Sequence, residues 1–314
     1  MRALKGLLIF AVCICWAQLL FAQRYLHQAY NQADSVVNIP YGQATNYQHK
    51  TEELLLDFYE PRGDKAKKRP LIIYVHGGGF QGGTRKWPSI RIICQKLAMR
   101  GYAVASIDYR LDPTFGIKLF STYKELLPDT NRRAMTDAMH DLKAAIRFFR
   151  ASAQRYRIDT ANIFIGGESA GAITAMMANY VDKPAELRLY PKANPNNIEG
   201  QSGNAGYSSK ARATLCLCGA LPDTTAVESP GDAPFLWVHG EKDSFIQLPW
   251  AQEVVTRAAN IGLHYKKYIF EGAEHCPWYF GNTNWQMYLD KTVGYIAEFL
   301  YPLVTTGKHK THRK

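Results

Sequence analysis

Cysteine is scarce in this chain. Of six in 314 residues, two (Cys13, Cys15) fall within the first 22, leaving Cys94, Cys216, Cys218 and Cys276. Four cysteines make no dense disulfide framework, and a domain of this size needs none. Cys216 and Cys218, two apart in "ATLCLCGA", are expected on one face of a strand as buried thiols; spacing alone gives no pairing. No pair of cysteines or histidines has zinc-ligand spacing, so no metal is expected, and no cofactor either. No Gly-Lys-Ser/Thr is present, and no Gly-x-Gly-x-x-Gly stands in a dinucleotide-fold context, so phosphate cradles are excluded. No basic patch is interleaved with aromatics, which argues against nucleic acid as a partner. Internal repeats, linkers and a second-domain boundary are also missing.

The first 22 residues differ from the rest. Arg2 and Lys5 precede the apolar run "GLLIFAVCICWAQLLFA", and small Ala22 precedes Gln23, the order of a secretory signal peptide. Val12 and Ile14 before the two cysteines do not make the small-residue box of a lipid anchor. No other long apolar run follows, so the expectation is export to a periplasmic or extracellular space, with no stable membrane insertion once residues 1–22 are removed. The formal charge is +11, and +9 without Arg2 and Lys5; four of these charges lie in "GKHKTHRK", within a tail (304–314) expected to be mobile. Residues 23–303 then form one domain. Its oligomeric state is not readable from the sequence.

Apolar, β-branched runs recur at 53–61, 70–78, 102–110, 162–167, 213–220, 234–240 and 265–273, with a first plausible strand near 35. Helix-patterned segments alternate with most of them, implying an α/β fold: a mostly parallel central sheet of about eight strands, helices on both faces, and no large separate cap domain. In the predicted helix 131–155, Ala134, Ala138, Leu142, Ala145, Ile146 and Phe149 form one apolar stripe; Arg132, Lys143, Arg147 and Arg150 fall largely on what is expected to be a wet face. Two long connections, 111–130 and 182–210, are rich in Pro, Gly and Asn and are expected near a pocket mouth.

The chemistry concentrates in "FIGGESAGAI" (164–173). Ser169 sits between a strand and a helix, with Gly167 and Gly171 two positions to either side, the context of a nucleophile elbow. A serine hydroxyl needs a base, and the base an orienting acid. Asp243 follows the strand of "WVHGEKDSFI" and His275 follows the strand of "IFEGAEHCPW", so both are expected at the sheet edge that carries Ser169. Asp223, Asp232 and Glu241 are rival acids; His264, His309 and His312 are poorer bases by position. Oxyanion donors are expected from the amides of Gly78 and Gly79 in "YVHGGGFQGG" and of Ala170 after the nucleophile. Phe80, Trp278, Tyr279 and Phe280 are candidate substrate contacts, with core packing the alternative for these rings.

With "HGGGF" (76–80), "IDYRL" (107–111), "GESAG" (167–171), "HGEKD" (239–243) and "EH" (274–275) in place, the chain resembles α/β-hydrolase-fold carboxylesterases, similar to the hormone-sensitive lipase group and to bacterial carbohydrate and feruloyl esterases. The resemblance covers about residues 35–300. It implies supporting roles for His76, Gly77, Asp108 and Glu168, the first and third of these keeping the glycine loop in shape. Only about a dozen mature residues precede the first strand, unlike relatives with an N-terminal helical cap. The expected function is an exported serine ester hydrolase acting on short-chain or carbohydrate-linked acetyl or hydroxycinnamoyl esters, small or glycan-borne. Two rival readings are a serine peptidase of prolyl oligopeptidase type and a catalytically silent hydrolase-like binding protein.

Overall fold

The computed structural model describes residues 24–114, 129–183, 186 and 197–306, with side chains 129, 130 and 306 left aside. The signal-type segment, residues 307–314 of the tail, and residues 115–128, 184–185 and 187–196 of the two long connections lie outside that set.

Eight strands form one sheet: β1 (Ala33–Thr45), β2 (Thr51–Pro61), β3 (Arg69–Val75), β4 (Ala103–Ile107), β5 (Ile158–Glu168), β6 (Ala213–Leu217), β7 (Phe235–Gly240) and β8 (Tyr265–Phe270). Their spatial order is β1-β2-β4-β3-β5-β6-β7-β8. The two pairings at the β1 end are antiparallel, and every pairing from β4 to β8 is parallel. The sheet expected from the alternating apolar runs is therefore present, with its strand count. β3, β4 and β6 are buried at every position, which is why they read as unbroken apolar runs.

Among the described residues, the α-helices are α1 (Pro88–Ala98), α2 (Asp129–Ala151), α3 (Ala153–Tyr156), α4 (Ala170–Tyr180), α5 (Leu248–Ala251), α6 (Glu253–Ile261) and α7 (Trp285–Thr306). Two buried clusters lie on opposite faces of the sheet. One joins Ile73, Val75 and Ile165 to α2, α4 and α6; the other joins Ile72, Tyr74 and Phe164 to α1 and α7. Alternate residues of β3 thus serve both cores, as a two-sided strand requires. Among the described residues, no helix is long and apolar enough to cross a membrane.

Three expectations need correction. The helix drawn over 131–155 stops at Ala151; Ser152 leaves helical geometry (φ −102°, ψ 17°), and α3 ends at Arg157 in the left-handed region. Its supposedly wet face is partly dry: Lys143 and Arg147 are buried because residues 197–203 lie over them. There Arg147 donates to the carbonyls of Glu199 (2.8 Å) and Gly203 (3.0 Å), while Lys143 donates to the carbonyl of Val181 (3.2 Å). The third correction concerns Cys216 and Cys218, which do not share a face. β6 ends at Leu217, and Cys218 turns into the left-handed region (φ 48°), so its side chain joins the α1/α7 core while Cys216 faces the other.

Candidate active site

The C-terminal ends of β3, β5, β6, β7 and β8 meet at one edge of the sheet, and the chemistry-bearing residues fall there. Ser169 follows β5 directly. It adopts φ 55°, ψ −121°, a conformation that costs a β-carbon-bearing residue of order 1–3 kcal/mol and recurs at functional turns. Its amide donates to the Leu217 carbonyl at 2.9 Å, and its own carbonyl accepts from Ala172 and Ile173 as α4 begins. The half-buried side chain is thereby raised above the sheet at a helix N-terminus, where developing negative charge is favoured. The turn closes only because its flanks lack side chains. A β-carbon on Gly167 or on Gly171 would fall on the Val75 carbonyl, and one on Gly171 would also lie 2.6 Å from the His76 carbonyl.

Asp243 follows β7 and is buried. Its Oδ1 accepts from the amides of Phe245 (2.9 Å) and Ile246 (2.7 Å), which fixes the carboxylate. Oδ2 lies 2.6 Å from Nδ1 of His275, whose ring is half-buried at the end of the β8 turn. This acid–base pair is formed in the structure. The rival acids are engaged elsewhere: Asp223 accepts from Thr225, Asp232 from the amides of Glu228 and Ser229, and Glu241 from the amide of Gly272.

The sequence reading passed over His239. It is wholly buried, stacked 4.9 Å from Trp237, with Nε2 2.8 Å from the Ile246 carbonyl and 3.2 Å from Asp243 Oδ2. Both neighbours are acceptors, so Nε2 carries the proton. Burial lowers the His239 pKa against the pull of Asp243, and a neutral ring results that donates to the Ile246 carbonyl and lies against the carboxylate. The signal was available as a histidine four residues before the acid, on the same strand end.

The glycine loop leaves β3 through His76 and Gly77. Gly78 (φ 113°), Gly79 (φ 61°) and Phe80 (φ 60°) all adopt positive φ, so the loop is held in a shape that only its glycines take freely. Gly82 and Gln81 donate back to the Gly78 carbonyl at 3.1 and 3.2 Å. His76 is buried and stacked on Tyr109 (4.4 Å between centroids); its Nδ1 donates to the Gly77 carbonyl at 2.6 Å. Burial lowers its pKa, so the ring is neutral. Asp108 takes the far side of the loop, accepting from the Arg85 amide at 2.7 Å and pairing with the Arg85 guanidinium. Gly77 brings the loop against the nucleophile, since a β-carbon on it would lie 3.2 Å from that of Ser169; Gly78 and Gly79 follow it, and Ala170 follows Ser169.

Behind the nucleophile, Glu168 is fully buried. Its Oε2 accepts from the Tyr74 hydroxyl (2.9 Å) and from Trp278 Nε1 (2.8 Å). Burial pushes its pKa up to about 7, against the hydrogen bonds from Trp278, Tyr74 and Tyr279 and the nearby His275. Trp278, a candidate substrate contact by sequence, is therefore a buried anchor for this carboxyl. Phe80 is corrected likewise: it is 2% exposed and packs edge-on against Tyr109, facing the core. Tyr279 does reach the site, its hydroxyl lying 2.7 Å from where a Gly77 β-carbon would stand. Phe280 is exposed, against Trp285.

Beside His275 opens a cleft of about 510 Å³ lined by Phe245, Pro277, Asn282, Thr283, Asn284 and Tyr288, among others. Phe245 is 54% exposed, with its ring 5.3 Å from that of His275.

A mostly parallel sheet that presents a left-handed serine after a central strand, and an acid–histidine pair after the two strands beyond, defines an α/β-hydrolase fold. Within that fold, residues 56–118 and 128–215 match the BD-FAE family model. The match runs from β2 to β6; it takes in the glycine loop, Asp108 and Ser169 and stops short of Asp243 and His275. Esterase LipC of Mycobacterium tuberculosis is 25% identical over 70% of this chain and 56% of its own. The para-nitrobenzyl esterase of Bacillus subtilis is 30% identical over 41% of this chain and 24% of its own. Among solved structures, the apo form of Thermogutta terrifontis esterase 2 is similar with a TM-score of 0.66 at 22% identity, covering 86% of this chain and 94% of the other. The chain spans from about a quarter to just over half the length of the curated relatives it matches.

Proposed function

We propose that the protein is an exported serine carboxylic-ester hydrolase. The observation that carries this reading is the Asp243–His275 bond of 2.6 Å at the sheet edge from which Ser169 projects in a left-handed turn. In the proposed cycle, His275 takes the Ser169 proton as Oγ attacks the ester carbonyl. Asp243, itself fixed by the amides of Phe245 and Ile246, holds the ring in one tautomer and stabilises the imidazolium. The amides of Gly78, Gly79 and Ala170 hold the oxyanion, each donor contributing about 3 kcal/mol to the transition state. His275 then protonates the leaving alcohol, and water, activated by the same ring, releases the acid from the acyl-enzyme. No cofactor is required by these steps.

The substrate class we propose is a short-chain or carbohydrate-linked ester. Its support is the open cleft next to His275, whose lining joins the exposed Phe245 ring to Asn282, Thr283 and Asn284, a composition suited to a small or sugar-borne alcohol. Export to the periplasm or beyond rests on the N-terminal charge, apolar run and small residue alone.

Ser169→Ala assayed on an activated acetate ester tests the nucleophile. The expected result is a loss in kcat on the order of 10⁴-fold or more, together with loss of labelling by a fluorophosphonate. Retained turnover would exclude the mechanism, and cleavage of a proline amide in place of the ester would favour a peptidase.

A further inference from the structure

Two buried thiols lie directly under the acid–base pair, and the proposed mechanism uses neither. Cys218 leaves the end of β6, and Cys276 follows His275. The Cys276 amide donates to Cys218 Sγ at 3.2 Å. The two sulfur atoms and a ring nitrogen of His275 all lie within 4.8 Å of one another. Both residues adopt the left-handed region, with φ of 48° and 46°, conformations uncommon for residues with a β-carbon. Each turn aims its sulfur into the α1/α7 core. The other two thiols are placed differently: Cys216 faces the opposite core, and Cys94 lies on α1.

The geometry points to a disulfide site between Cys218 and Cys276, which would staple the loop carrying His275 to the central sheet. The bond is made by exchange with an external disulfide, either the oxidised form of a small thiol or a dithiol oxidoreductase. One cysteine attacks that disulfide as thiolate and expels the first thiolate; the second cysteine then attacks the mixed disulfide and expels the other. One S–S bond is broken and one formed, the cysteines are oxidised, and their two protons leave on two released thiols.

In the structure both sulfurs are free thiols, wholly shielded from solvent. Burial raises the pKa of Cys276 well above the ordinary thiol value, so the folded thiol is a weak nucleophile and hard to reach. Exchange is therefore expected while the chain folds, or when the 271–277 turn opens, and a bond once made is shielded from reductant. The sulfurs must close to about 2 Å. That movement falls on the turn, because Cys218 is pinned by the hydrogen bond its amide donates to the Val238 carbonyl at 2.7 Å. The bond does not depend on the esterase reading. Only its bearing on the catalytic base does, so thiol count and turnover can fail separately.

The test uses the full chain, refolded with either reduced or oxidised glutathione, denatured, alkylated and digested with trypsin. Oxidative refolding is expected to yield peptides 213–242 and 268–291 joined through Cys218, lighter by two hydrogen atoms and separated by reductant. Cys216→Ala keeps the link and Cys218→Ala abolishes it. Reduction of the wild-type protein is expected to lower Tm by about 5 °C, a comparison that needs no variant. An unchanged thiol count, or a link through Cys94 or Cys216, would overturn the inference. So would thiols protected by added zinc and released by a chelator but not by reductant, which would make the cluster a metal site.

Discussion

Replacing Glu168 with Gln should alter how stability depends on pH while leaving the packing intact. The carboxyl is fully buried, and burial moves its pKa from an ordinary 4.5 to about 7 despite three hydrogen bonds and the nearby His275. In the unfolded chain the group ionises near 4.5; in the folded chain it keeps its proton to about 7. Between these values the native state binds more protons than the unfolded state, so stability falls as pH rises. The difference of about 2.5 units corresponds to roughly 3 kcal/mol, fully absent below pH 4.5 and fully expressed above 7. Glutamine copies the protonated acid. Its carbonyl can accept from Tyr74 and Trp278 as Oε2 does, and its NH₂ replaces Oε1, which has no partner in the native protein. The assay is urea unfolding of both proteins, in one thiol state and at constant ionic strength, from pH 4.5 to 8. Other groups titrate in both proteins and cancel in the difference. The variant should gain about 3 kcal/mol relative to wild type across that range, and parallel profiles would show that Glu168 is ionised throughout.

Asp243→Asn should leave Tm near wild type but lower kcat on the order of 10⁴-fold, because an amide no longer holds the His275 tautomer that accepts the serine proton; pre-steady-state acylation rates check this. His239→Ala removes the ring that lies against Asp243 Oδ2 and holds the Ile246 carbonyl of the acid's turn, and should lower kcat about tenfold at constant KM; equal changes in both parameters would place His239 in substrate binding. Gly171→Ala drives a methyl group into the Val75 and His76 carbonyls where β3 meets α4, so thermal unfolding should shift down by several degrees or the chain should fail to fold. Wild-type Tm normal in that variant would mean the turn is looser than described.

The sheet was legible because strands buried on two sides must be apolar throughout, and β3, β4 and β6 are. Ser169, Asp243 and His275 could be placed on one edge because each follows a strand, and a parallel sheet sends all its strand ends the same way. What stayed hidden depended on contacts between distant segments. Lys143 and Arg147 look like solvent-facing charges until residues 197–203 cover them. Trp278 and Phe80 read as binding aromatics, yet one is bonded to a buried carboxyl and the other packs on Tyr109. The side on which Cys218 falls depends on where β6 stops, and alternation cannot reveal a left-handed residue. His239 was missed because a strand histidine usually signals packing, and its tie to Asp243 needs the turn at 241–246.

Lys143 has a consequence beyond its own burial. Its ammonium group holds the Val181 carbonyl, just after α4, and the Glu199 carboxylate at 3.4 Å, so the two feet of the 182–198 connection are bolted to the same point on α2. Closing a loop of twice the length costs only about 0.6 kcal/mol more. The anchors thus set off two parts of the chain, the residues tied to the geometry of Ser169 and His275 and the span between Val181 and Glu199. Exchanging the second for that of a relative is a way to vary what the fold admits while the chemistry stays where it is.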